Sequence, residues 1–125
     1  MKVFTVIEFD SVKVETILTN MEIIEGDTLN GSLFVTAEDE AEHIDFITLK
    51  VLKMSGESYS IIGKHSVEMV GTIHTKDAEI VPFEIIPDER WGCLEGEKII
   101  FQTIVTFLNG TEVKAEEEIT YTLLD

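Results

Sequence analysis

The chain has 125 residues, 25 of them acidic against 9 basic, a formal net charge of −16, 44% apolar residues and a single cysteine, Cys93. That length predicts one domain, 1–125, around one core. The charge excludes nucleic acid and an anionic membrane surface as ligands, since both need clustered Lys and Arg, and a lone thiol excludes an intrachain disulfide.

There is no apolar run of about 18 residues and no basic region followed by a long apolar stretch, so the chain reads as soluble and cytoplasmic. Residues 2 to 9 carry apolar side chains on both parities and predict an edge strand, with a short docking helix as the alternative. Val12, Val14, Thr16 and Leu18 then alternate with Lys13 and Glu15, the pattern of a half-buried strand. Gly26 and Asp27 supply a turn, and a strand over 31 to 37 follows. Glu38-Asp39-Glu40-Ala41-Glu42 is an acidic turn whose spacing fits no calcium loop with its required glycine and terminal glutamate.

Strand 44 to 54 places Ile47, Leu49 and Val51 on one face, with Thr48 and Lys50 on the other. The chain is expected to turn at Gly56, extend briefly from Tyr59 to Ile62, turn again at Gly63-Lys64 and extend over 65 to 75. Ile80 to Ile86 forms the next strand, and Pro82, lacking a ladder donor, marks an edge, a bulge or the strand's start. Trp91, in the irregular connection 87 to 93, is expected to plug one end of the fold.

Lys98 to Leu124 form a hairpin about Asn109-Gly110. A two-residue loop would set Val105 against Lys114 and Phe101 against Glu118, which scrambles the apolar face. A three-residue loop of Leu108, Asn109 and Gly110, with Gly110 left-handed, aligns Val105 with Val113, Thr103 with Ala115 and Ile99 with Ile119. The three-residue loop is therefore predicted. Strands of this length and alternation predict an all-β fold, a sandwich of two antiparallel sheets.

With Ile99, Phe101, Val105 and Phe107 inward, Ile100, Ile104 and Leu108 must point outward, as must Phe46, Leu52 and Met54 on strand 44 to 54. A strand that is apolar on both faces is covered on both, so these six residues predict a contact surface for another protein or a second copy, a homodimer. The alternative is that the N-terminal segment or a long loop covers them.

Enzyme templates fail one by one. His43, His65 and His74 are scattered, one Cys completes no zinc site, and no nucleophile elbow or glycine-rich phosphate loop is present. Glu117, inward near the hairpin, and Cys93, with only Arg90 as a nearby base, lack the partners that catalysis needs. The reading is a non-enzyme without cofactor. A small-ligand or calcium-binding sandwich that uses the acidic loops 38 to 42 and 88 to 89 is the second reading.

Val14-Glu15-Thr16-Ile17-Leu18, Glu25-Gly26-Asp27-Thr28-Leu29-Asn30-Gly31, His43-Ile44-Asp45-Phe46-Ile47-Thr48-Leu49 and Pro82-Phe83 together resemble the bacterial sporulation-control protein family. Glu25 stands where that family's turn has a proline, and the segment Pro82 to Pro87 is one residue short of its usual spacing. The resemblance implies an arrestin-like, immunoglobulin-type β-sandwich and a regulatory interaction module. The family's members carry two such domains, whereas this chain reads as one.

Overall fold

The computed structural model describes residues 2–9, 12–37, 44–69 and 78–124. Its strands are β1 (Lys2–Phe9), β2 (Val12–Leu18), β3 (Glu22–Ile24), β4 (Leu29–Ala37), β5 (Ile44–Ser55), β6 (Ser58–Glu68), β7 (Ala78–Ile85), β8 (Glu97–Phe107) and β9 (Glu112–Thr122). One sheet runs β1-β2-β4-β7 and the other β3-β9-β8-β5-β6. The fold is thus an all-β sandwich. Every pairing is antiparallel except that of β3 with β9.

Alternation dictates the core. Val12, Val14, Thr16 and Leu18 of β2 and Leu29, Leu33 and Val35 of β4 turn inward from the first sheet, and Ile47, Leu49, Val51, Phe101 and Val105 from the second. Phe101 joins the layers, edge-on to Phe4 at 5.7 Å and stacked with Phe83 at 5.9 Å between ring centroids. Leu49, Phe83 and Phe101 lie in one cluster, with Val67 half-buried against it.

One polar link crosses this apolar interior. The hydroxyls of Thr16 and Thr103, both fully buried on opposite sheets, are 3.0 Å apart. Thr103→Val strands the Thr16 hydroxyl and should cost about 1–3 kcal/mol, whereas Thr16→Val together with Thr103→Val should regain most of that loss in a urea melt.

The hairpin register agrees with the sequence pattern. Val105 faces Val113, Thr103 faces Ala115 and Ile99 faces Ile119. The loop is Leu108, Asn109 and Gly110: Phe107 N–H donates to Thr111 O, Gly110 N–H to Phe107 O, and Gly110 has φ +92°. Residues 2–9 form a strand at one edge of the first sheet, and Pro82 lies in β7 at the other edge.

Two expectations are corrected and one strand is added. First, no turn interrupts β6 at Gly63-Lys64: the strand continues, and the irregularity is a bulge, with Gly63 opposite Val51, Ile61 opposite Leu52 and Ile62 the extra residue. A Cβ on Gly63 would stand 3.3 Å from Val51 and 3.2 Å from Ile85, so this glycine admits close packing of the layers. Second, β4 begins at Leu29, because Leu29 already pairs with Ile85. Third, Glu22–Ile24 forms a short parallel strand on β9, held by long-range pairing that local alternation does not announce. The expected strand over 65 to 75 ends, as far as the described residues go, at Glu68, and its Gly71, Ile73 and His74 lie outside them.

Candidate functional site

Parity also writes the outer face of the five-stranded sheet. With Ile47, Leu49 and Val51 of β5 inward, Phe46, Thr48, Lys50, Leu52 and Met54 face out, and the pairings line up the neighbouring strands in rows across the face. One row is Lys114, Ile104, Thr48 and Ser66. The next is Glu116, Gln102, Lys50 and Lys64. A third is Glu118, Ile100, Leu52 and Ile61, and Lys98, Met54 and Tyr59 follow.

Five of the six candidate contact residues share this face. Phe46, Met54 and Ile100 are half-buried, but Leu52 and Ile104 are only 8% and 6% exposed. Flanking lysine and glutamine side chains cover apolar neighbours with their stems while keeping their polar ends in water, which accounts for such low exposure on an outer face. Leu108 is separate. It is 54% exposed as the first residue of the hairpin loop and lies beyond the strand rows.

A groove of about 380 Å³ runs across the third and fourth rows, floored by Leu52, Met54, Ile61 and Ile100 and bordered by Lys50, Lys98 and Lys114. Tyr59, 64% exposed, forms one wall. Lys64 faces Lys50 directly across the β5–β6 ladder, a like-charge pair that costs stability. Four of the chain's nine basic residues therefore stand on one face of a strongly acidic protein. Among the described residues none of these lysines is in an ion pair: the pairs present are Lys13 with Glu15 and Arg90 with Asp88. The nearby Glu116 carboxylate accepts from Gln102 Nε2 at 3.1 Å.

Alternation along β5 places Lys50 on this face, but the β6 residues Tyr59, Ile61 and Lys64 are not legible in the sequence. The bulge at Ile62 hides them, since it shifts parity midway along β6 and places Ile61 outward while Ile62 turns into the core at 3% exposure. Its carbonyl accepts from Trp91 Nε1 at 3.3 Å and from Arg90 at 3.2 Å, which ties this edge strand to the short 3₁₀ turn Glu89–Trp91. Trp91 is fully buried.

Other candidate chemistry is dispersed. Asp88 caps that turn and is bridged by Arg90 at 2.7 Å, and these hydrogen bonds hold its carboxyl below the usual range. Among the described residues no cluster of three or more His, Cys, Asp or Glu could hold a metal ion. The acidic turn Glu38 to Glu42, with His43, lies outside the described residues. Glu117 pairs with Phe101 in register but is exposed. Burial raises the Cys93 thiol pKa, and the nearby Lys53 opposes that shift more weakly. Iodoacetamide should therefore alkylate Cys93 more slowly than free cysteine at neutral pH, as followed by mass spectrometry. No described helix is long and apolar enough to cross a membrane.

No family profile and no curated protein matches this chain. Among solved structures it is similar to the sporulation control protein Spo0M from Bacillus subtilis, at 16% identity and a TM-score of 0.66, covering 91% of this chain and 50% of that one. It also resembles an alkylpurine DNA glycosylase, AlkC, from Pseudomonas fluorescens (15% identity, TM-score 0.49, 94% and 32% covered) and a β-glucosidase from Listeria innocua (11%, 0.49, 90% and 16%). Likenesses of 0.49 carry no argument. The first shows a shared fold, and this chain spans about half the length of that protein.

Proposed function

We propose that this chain is a non-enzymatic regulatory module, related in function to sporulation control, that works by binding protein through the outer face of its five-stranded sheet. One observation carries the reading: an apolar groove bordered by unpaired lysines on a chain of net charge −16. Stability alone gives no reason for that placement, because Lys50 and Lys64 repel each other across the ladder and neither is in an ion pair, although Glu116 stands on the same row. The groove residues Leu52, Met54 and Ile100, with Ile104 and Phe46 on the same face outside the groove, form the contact, and Leu108, at the hairpin loop beyond the strand rows, is its outlying member. The shared fold with a sporulation control protein supports a regulatory role, but fold alone does not name a partner. A reducing cytoplasm suits its single thiol.

Ile100→Glu tests the reading. Ile100 is half-buried, so the variant should fold, unlike Ile104→Glu at a site only 6% exposed. Proteins captured from the native extract by the wild type are identified, purified and titrated against both forms. Loss of binding at an unchanged melting temperature supports the face as the contact. Equal binding by both forms sinks it.

A further inference from the structure

We infer that the occupant of this face is a second copy of the chain, related by a two-fold axis that lies parallel to the strands between β8 and β5. This rests on the reading of the outer face as a contact surface and adds a partner and a register to it.

The face is unevenly charged across its width. At its β9 side stand Glu116 and Glu118, and at its β5–β6 side stand Lys50 and Lys64. A two-fold along the strands turns each row over onto its own reverse. Glu116 then meets Lys64 of the second copy, Gln102 meets its Lys50, and each contact occurs twice. In the next row Ile100 meets Leu52 of the second copy, so the apolar floor closes on itself at the centre, beside the charged pairs. Glu118 falls opposite Ile61.

The other two-fold available to stacked sheets runs across the strands. Laid along the Glu116 row, it would set Glu116, Lys50 and Lys64 each against its own copy, three like-charge contacts on the axis. Laid along the Ile100 row it would set only Glu118 against its own copy but would form no opposite-charge pair, whereas the strand-parallel axis pairs Glu116 with Lys64 twice, and on that ground we take the strand-parallel axis. It leaves one kind of poor contact, made twice, Glu112 against Glu68 in the end row. Aligned sheets cross at about 30°, so end rows separate while the central rows stay in contact.

Four strands about 4.8 Å apart and some eight residues long at about 3.3 Å each present roughly 500 Å² per copy, or about 1,000 Å² for the pair, which is at the low end of specific interfaces. A reversible dimer follows, not a permanent one.

Sedimentation equilibrium of Lys64→Glu, of Glu116→Lys and of the double variant tests the register. Both side chains are exposed, so all three proteins should stay folded, and Lys64→Glu, which ends the Lys50–Lys64 repulsion, should melt at or slightly above the wild type under dilute, monomeric conditions. Each single reversal should raise the dimer dissociation constant by about tenfold or more, and the double variant, in which the pairs are exchanged, should return to within about threefold of the wild type. A wild type that stays monomeric at a few hundred micromolar overturns the dimer, as does a double variant no better than the weaker single. In either event the Ile100→Glu capture experiment decides independently whether the face binds any protein. Loss of a captured partner by Lys64→Glu without rescue by Glu116→Lys identifies an acidic partner in place of the second copy.

Discussion

Alanine at position 91 is expected to lower the free energy of unfolding by about 3–5 kcal/mol, the range for emptying a fully buried aromatic site. Trp91 has no exposed surface, packs edge-on to Tyr121 at 5.8 Å and donates from Nε1 to Ile62 O. The loss combines a cavity with one hydrogen bond, so Trp91→Phe should recover most of the packing and leave only the smaller cost of the bond. Arg90 remains to donate to the same carbonyl, but it is solvent-exposed and its ion pair with Asp88 is a surface one, so Arg90→Ala should melt close to the wild type. A urea melt reads all three. Because Trp91 steadies the bulge that aims Ile61 outward, Trp91→Ala should also weaken any binding at the outer face. An unchanged midpoint for Trp91→Ala would remove the tryptophan from the account of the fold.

The second large effect is expected from the smallest change. Gly31 faces inward in β4 between Leu18 and Phe83, and a Cβ there would meet Ile17 O, the Phe83 ring at 2.7 Å and a Leu18 methyl at 3.1 Å. The nearest of these is backbone and cannot rotate away, so β2 must move or the sheet must open. Gly31→Ala should cost about 3 kcal/mol, the upper part of the overpacking range. Gly26 gives the contrast: its φ of +101° disfavours a side chain, but nothing lies within 4 Å of its Cβ position, so Gly26→Ala should cost only about 1–2 kcal/mol. Equal losses at the two positions would mean that β2 and β4 are not held at the described spacing.

This difference shows where sequence reading stopped. The sequence marks Gly26 as a turn residue and places Gly31 only at the start of the strand that follows. Gly31 is a strand residue where β2, β4 and Phe83 crowd together, and crowding between strands distant in sequence leaves no local mark. The same holds for β6. Its glycine was read as a turn, whereas the glycine admits Val51 and Ile85 while the bulge at Ile62 absorbs the irregularity.

What the amino-acid order determined by itself was the set of properties with a period of two: which side of β2, β5 and β8 is apolar, and the hairpin register with its three-residue loop about Gly110. Those follow from neighbours along one strand, or from two strands joined by a short loop, so alternation is enough to read them. The tertiary structure alone decided the parallel β3–β9 pairing, the hydroxyl contact between Thr16 and Thr103 across the layers, and the gathering of Lys50, Lys64, Lys98 and Lys114 on one face. Each joins residues through space that no local pattern connects, and the outer face depends further on a one-residue slip in β6 that reverses the parity of everything beyond it.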